Sequence, residues 1–575
     1  MRKLQGCRHA LLFGGILLSG YADAESVKIG RLQQEAEHQF QLQTQRQKAL
    51  NKQLMPPVLD VRFSIATGGA SSGRVFTDET PCFTIEHVSI TGQESLPHWV
   101  PIKRLANQAV GHCIGVEGIN LLVTDVQNRL ISHGWITTRV LVPEQDLSTG
   151  VLQLVVMPGK VQKVIFTDDS SQYSTLYTAM PAHSGYLLDL RDIEQGLENL
   201  QRLPTVQASM EMIPGDGPGE TQIVINRQQS RYWHAGAWVD NTGSKSTGKN
   251  QAGVMLALDN PTSLSDLFYL TATRDLSFSS DKDTTNYSAH YSVPFGYWQF
   301  ATTSSDYEYT QTIAGTNNDI EYRGKSKSLN LQLSNVLYRD ATAKTTATYD
   351  VNLRETRNFV QNTEIENQKR RTTSWKLGLN HRQYVGQSTI NLGASYQHGT
   401  RWFGAMPAFE EFRSKDSQDY ATALAVVMQF NASASIPFTL AEQSLRFDTQ
   451  YSRQISDRPL TPQDQFSIGN RWTVRGFDGE RTLSADEGWT IRNTLSWALP
   501  IPAQELYIGA DYGKISGRWT DMNLGTHLAG GAIGLRGAIS PANLSYDLSI
   551  GTPFSKPGGF RTDPATFAFS VNWNY

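Results

Sequence analysis

The sequence predicts an all-β transmembrane barrel of about 16 antiparallel strands, preceded by two α+β modules and a polar N-terminal helix. Three observations carry this. Beyond Arg227 the chain runs in stretches of about ten residues that alternate apolar with polar, and no amphipathic helix interrupts them. The connections between these stretches alternate between tight and long. Between Pro81 and Arg227 one order of strands and helices occurs twice in succession.

Composition narrows the function classes before any motif is read. With 575 residues, a formal charge of -3 and 18% charged residues, the chain is not basic enough to bind nucleic acid. A mean hydropathy of -0.38 excludes a helical membrane protein. Arg2 and Lys3, the apolar ALLFGGILLSG and then Ala22-Asp23-Ala24 have the order of a secretory signal, residues 1–24, cleaved after Ala24. That apolar run is too short to span a bilayer, and no later segment reaches the roughly 20 apolar residues of a membrane helix. If the mature chain meets a membrane, it does so as a barrel. Cys7 precedes the apolar run, so a lipoprotein anchor is not expected. Export leaves Cys82 and Cys113 as an even pair in an oxidising compartment, which reads as a disulfide closing a loop at about 3 kcal/mol. The alternative is two buried thiols.

Residues 25–54 are Gln-rich and place Ile29, Leu32, Ala36 and Phe40 on one narrow stripe. A helix so polar suits a water-filled cavity. Residues 55–80 read as a flexible linker. The first module, residues 81–159, opens with the strand FTIEHVSI (83–90) and a short helix near 100–109. Its second helix turns Ile119, Leu122, Val123, Val126 and Leu130 inward, and strands at 136–144 and 151–159 close it. The second module, 160–228, repeats the pattern, with a strand at 161–167, a helix burying Leu190, Ile193, Leu197 and Leu200, and strands at 207–214 and 221–227.

Residues 229–575 then supply the barrel. Its runs start near 232, 249, 267, 285, 297, 326, 343, 371, 387, 420, 443, 488, 503, 527, 541 and 564, an even count, as bacterial outer-membrane barrels require. The last is the clearest: Phe567, Phe569, Val571, Trp573 and Tyr575 share one face and are assigned as a C-terminal assembly signal. Tight connections at PFGYW, RDATAK, VGQ and SPAN are expected in the periplasm and the long polar ones outside. Tyr232, Trp233, Tyr297, Trp298, Trp489 and Trp497 near the run ends are expected in the interfacial girdles. A barrel this wide leaves a lumen for water and an extended polypeptide.

Catalytic signals fail on context. GASSG (69–73) fits G-x-S-x-G but lies in a Gly/Ser linker, and GSKSTGKN (243–250) puts Asn250 where a P-loop needs Ser or Thr, so it reads as a surface loop. No His and carboxylate cluster has metal spacing; no catalytic residue, metal or cofactor is expected.

The signal, polar helix, paired β-α-α-β-β modules, about 16 strands and a VRGF loop together resemble the TpsB transporters of two-partner secretion, whose periplasmic modules are called POTRA domains. The specific parts are PCFTIEHVSITG with Cys113, LRDIEQGLENLQRLP, and Val474-Arg475-Gly476-Phe477 between runs eleven and twelve. The resemblance implies that this sixth external loop folds back into the barrel, where Arg475 meets an acidic residue of a G-x-D-x-G pattern on strand thirteen, here Gly509, Asp511 and Gly513. Alternation agrees: in ELYIGADYG, Leu506, Ile508, Ala510 and Tyr512 face outward, leaving Asp511 toward the lumen. The loop arginine is then expected to act as a latch worth roughly 1.5 to 3 kcal/mol.

The resemblance also implies a plug role for the N-terminal helix and a single large TpsA-type exoprotein as partner, bound through its secretion domain by the POTRA modules. Similarity around PCFTIEHVSITG favours the contact-dependent inhibition and haemolysin branch. Further partners expected are outer-membrane lipid, lipopolysaccharide and the barrel-assembly machinery, with the chain itself a monomer.

Overall fold

The computed structural model describes residues 36, 38–50, 60–63, 79–171, 173–277, 281–313, 319–412, 420–518 and 520–575. The expected signal segment, Ile29 and Leu32 lie outside them, as do GASSG and most of 55–80.

In the first module, Val151–Met157 forms the centre of a three-stranded sheet, parallel to His87–Thr91 and antiparallel to Arg139–Leu141. The strand expected at 83–90 breaks in two, because Phe83–Thr84 turns aside to pair with Cys113–Ile114 beside the Cys82–Cys113 disulfide. The one expected at 136–144 shortens to three residues. Helix Val116–Ser132 buries Ile119, Leu122, Val126 and Leu130, the 3-4 spacing of one helical face. Its free N-terminal N–H groups are satisfied from outside the helix: the Glu79 carboxylate accepts from Glu117 and Gly118 at 2.9 and 2.5 Å.

The second module repeats this plan. Glu220–Gln229 is central, parallel to Lys160–Phe166 and antiparallel to Val206–Pro214, and helix Leu190–Gln201 packs Ile193, Leu197 and Leu200 beneath the sheet.

Sixteen antiparallel strands close the barrel, numbered here one to sixteen from Trp233–Asp240 to Thr566–Asn574; a two-residue strand, Thr363–Glu364, only lengthens the hairpin after strand seven. Closure comes from Gly236–Asp240 of strand one pairing with Ser570–Asn574 of strand sixteen. Leu329, Leu331 and Leu333 of strand six are exposed on the outside, where hydrocarbon lies, whereas Asp350 of strand seven is buried inside. Phe567, Trp573 and Tyr575 are exposed on the outer face of the last strand, with Phe569 and Val571 half-covered.

Tyr232, Trp233, Trp298 and Trp497 are exposed near strand ends. Tyr297 is not a girdle residue: its hydroxyl donates to Asp192 of the second module at 2.6 Å. A docked periplasmic helix claims it before lipid can.

Replacing both Cys82 and Cys113 by Ser is expected to cost the first module about 2 to 5 kcal/mol. Limited proteolysis of 81–159 in rising urea should shift, while the heat-modifiable migration of the barrel should not.

Candidate functional site

Residues 457–486 join strand eleven, Gln443–Ser456, to strand twelve, Glu487–Ala498, and do not stay outside. They fold inward as a hairpin, Phe466–Ile468 against Leu483–Ala485. Ile468, Val474, Phe477 and Leu483 are buried with Ile515 and Leu528 of the wall and Phe560 of the last external loop. Phe477 thus packs chiefly on another loop, edge to face with Phe560 at 5.8 Å.

At the tip, Arg475 and Asp511 meet. The guanidinium donates from Nε to Oδ2 at 2.7 Å and from Nη2 to Oδ1 at 2.6 Å, and the Arg475 backbone N–H adds a third bond at 2.9 Å. Nη2 also reaches the Asn493 carbonyl at 2.8 Å. The Asp511 side chain has no exposure, so its charge is held by these donors and by Arg492, whose Nε lies 3.6 Å away. Removing one partner of such a buried pair costs about 3 to 5 kcal/mol, because the other charge is stranded.

The glycines are explained by space. A Cβ at Gly509 would collide with the Arg475 guanidinium, and one at Gly513 would stand 2.9 Å from Val474 Cγ2. Gly476 has φ +97° and runs against the Thr552 carbonyl. Sequence reasoning missed that Gly530 and Gly551 of the neighbouring wall give the same clearance to the backbone of residues 475 and 476. It also missed Arg492; the only signal was a cation on an inward-facing position of WTIRNTLSWAL.

The helix at residues 36 and 38–50 lies in the lumen. Its amides reach loops and wall along its length. Gln39 donates to Ser244 at 2.9 Å, Asn470 of the inward loop donates to Gln45 at 2.7 Å, and Asn286 of strand four donates to Gln47 at 3.0 Å. Arg46 approaches Asp240 of strand one at 3.4 Å. Apolar anchoring runs along the helix: Ala36 sits among three tyrosines, Phe40 meets Tyr307 edge to face at 6.3 Å, Leu42 is buried, and Leu50 lies beside Trp238 and Met255. Neutral hydrogen bonds of this kind contribute about 1 kcal/mol each, and they act beside the buried Arg46–Asp240 pair and the buried apolar side chains.

GSKSTGKN, expected as a surface loop, folds inward: Ser244 and Thr247 are buried against Gln39. Lys245 then ties the outer mouth together, bonding Glu480 of the sixth loop through its N–H at 2.9 Å and Asp563 of the last loop through Nζ at 2.8 Å.

Beneath the barrel, helix Leu190–Gln201 docks on the tight turns. Arg339 leaves the turn after strand six fully buried, with Nη1 2.6 Å from Glu198 and Nε 3.3 Å from Glu194; Lys344 also binds Glu198. Asn199 donates to the Gly296 carbonyl at 2.8 Å. The sequence had marked LRDIEQGLENLQRLP but read RDATAK only as a turn. Residues 60–63, within the segment expected as a linker, join this cluster through Asp60, Arg62 and the backbone of Val61 and Phe63. Beside it, a cavity of about 560 Å³ opens along the wall, lined by amides such as Asn380, Asn391 and Gln450 and by the charged Glu198, Lys344 and Arg382.

At the junction of the two modules, burial pushes the Asp189 carboxyl up to about 6, partly opposed by the Arg191 N–H it caps. A pKa raised on folding stabilises below the unfolded value near 4, and that gain is lost as pH rises through 6. No group of His, Cys, Asp and Glu able to hold a metal occurs among the described residues.

A sixteen-strand barrel preceded by two modules, the second docked on its turns, with an inward loop and a helix in its lumen, defines an outer-membrane transporter with periplasmic POTRA domains. The family model for the haemolysin secretion/activation protein ShlB/FhaC/HecB matches residues 219–537, and POTRA models, one of them ShlB-type, match 83–159 and 160–214. The chain belongs to this family, the TpsB transporters of partner exoproteins, which are not enzymes. It is 34% identical over 514 residues to the outer membrane transporter CdiB-2 of Burkholderia pseudomallei (strain 1026b), covering 86% of this chain and 87% of the relative. It is 26% identical to the hemolysin transporter protein ShlB of Serratia marcescens, covering 70% and 71%. The structure of CdiB from Acinetobacter baumannii superposes with a TM-score of 0.82 at 26% identity, over 94% of this chain and 99% of that one.

Gly509→Ala should expel the guanidinium and reproduce the phenotype of Arg475→Ala, with the double variant no worse than either. Protease accessibility of the sixth loop in the assembled barrel measures this. Asp189→Asn should flatten the dependence of module stability on pH between about 4 and 6, read as denaturation midpoints of the full chain.

Proposed function

We propose that the chain exports one large exoprotein from periplasm to cell surface without ATP, and that this cargo is a contact-dependent inhibition toxin. The observation that carries the export reading is the lumen itself: a water-compatible conduit is filled by a separate helix, held by side-chain contacts and one buried ion pair rather than by strand pairing. The match to relatives named CdiB extends over 86% of the chain, against 70% for the haemolysin transporter, which favours the toxin over a haemolysin as cargo.

In this reading the unfolded cargo engages the POTRA modules through its secretion domain. The first module presents His87–Thr91 at a sheet edge, where an incoming strand finds unpaired backbone groups. The helix leaves, acting as a plug, and the Arg475–Asp511 latch lets the sixth loop rearrange or hold its place. Cargo threads past the polar wall, whose amides bond any backbone. Folding outside makes return unfavourable. Phe567, Phe569, Val571, Trp573 and Tyr575 serve assembly of the barrel, before export begins.

Deletion of residues 26–52 should raise single-channel conductance in planar bilayers; unchanged conductance would count against a plug. Arg475→Ala should lower secretion of the neighbouring exoprotein while barrel assembly stays normal, and full secretion at normal expression would remove the latch. Cargo that kills no competitor but lyses erythrocytes would replace the toxin by a haemolysin.

A further inference from the structure

Strand eight, Arg370–Val385, and strand nine, Ser388–Thr400, meet below in a tight turn. Leu377, Leu379 and Leu392 are exposed on their outer face, and by alternation Trp375, Thr373 and Arg371 point the same way, as do Tyr396, His398 and Thr400. Trp375 packs on Tyr396 and His398 with ring centroids 5.5 and 6.0 Å apart, an aromatic row of the kind that ends the hydrocarbon. The next outward pair, Thr373 opposite Thr400, stands twelve positions from the strand ends at Val385 and Ser388, past the roughly 9–11 residues that a spanning strand needs.

At that height the wall is not bare: Thr373 is only 3% exposed, because the fifth external loop lies over it. Its hydroxyl is 2.7 Å from that of Thr400 and 3.3 Å from the Trp402 carbonyl. The Met406 N–H donates to the Arg371 carbonyl at 2.7 Å, and a Cβ on Gly404 would stand 3.6 Å from Nη1 of Arg371. Residues 402–404 therefore rest on the lipid side of the barrel, at head-group level. Phe403 has φ +52°, uncommon for a bulky residue, and with Gly404 at +72° it turns out a ring that is 62% exposed, beside Trp402 at 44%. From the lumen side Arg370 holds Glu410 of the same loop through bonds of 3.1 and 2.8 Å, so the loop grips the end of strand eight from both faces.

Charge indicates what covers these rings. The carboxylates around Arg371 are taken: Glu410 by Arg370, Glu411 by Arg401, and Glu355, which faces Arg371 across from strand seven, by Arg357 at 2.7 Å. Among the described residues no carboxylate pairs with Arg371. We propose that Arg371, Trp402 and Phe403 form a binding site for lipid A, the phosphorylated glycolipid of the outer leaflet. The guanidinium takes a phosphate in a bidentate pair, and the two rings lie where sugar gives way to acyl chain. Cargo in the lumen is on the other side of the wall and does not reach this surface.

The full chain in phosphatidylcholine bilayers tests it. A fluorophore on Phe403→Cys should lose most of the iodide quenching that the same fluorophore shows on Thr363→Cys, an exposed position at the tip of the neighbouring hairpin. Energy transfer from position 403 to acceptor-labelled lipid A should saturate, and Arg371→Gln should move its midpoint about tenfold upward. Arg371→Lys, which keeps the charge, should move it less, and heat-modifiable migration should stay unchanged in both. Quenching at 403 equal to that at 363, transfer no greater than to acceptor-labelled phosphatidylethanolamine, or a midpoint that Arg371→Gln leaves in place overturns the proposal. So does a fluorophore that stays open to iodide in lipid A and is covered only while exoprotein is being exported, since the surface would then belong to the cargo.

Discussion

In hydrocarbon a backbone N–H or C=O has no water to bond, and each one left unpaired costs several kcal/mol. Sixteen strands meet that demand by pairing around a full circle, down to the five-residue contact between Gly236–Asp240 and Ser570–Asn574 that closes it. Closure fixes everything else. It sets the lumen width, forces inward residues to be polar or covered, and creates a hole that a sealed membrane has to fill.

The filling uses three different strengths of contact. The Arg475–Asp511 pair is buried, bidentate and joined by a backbone donor, and it fastens the tip of a sixth loop that the apolar cluster around Phe477 also holds. The helix carries neutral bonds to loops and wall, buried apolar side chains and one buried ion pair, Arg46–Asp240, a hold spread along its length. The Arg339 cluster fixes the second POTRA domain to the turns beneath.

Much of this was legible because lipid imposes period-two alternation on every strand. It gave the barrel, its even strand count and the inward side of Asp511. Strand ends were less legible: the run placed near 420 begins at Val426, and the strand at 136–144 keeps only Arg139–Leu141, since nothing local marks where pairing stops. What the sequence withheld depends on distant surfaces. Tyr297 looked like a girdle aromatic because its partner, Asp192, lies over a hundred positions earlier. GSKSTGKN looked solvated because the Gln39 that covers it sits in another element. Gly509 had a motif position but no reason until the guanidinium was found where its side chain would be.

The central claim is that the lumen conducts cargo only when the helix has left it, and a covalent lock tests this most directly. Gln39→Cys with Ser244→Cys places two thiols where a 2.9 Å hydrogen bond now joins helix to first loop. With that disulfide formed, secretion of the exoprotein should stop while either single variant secretes normally. Secretion at the single-variant level through fully cross-linked barrels would contradict the account.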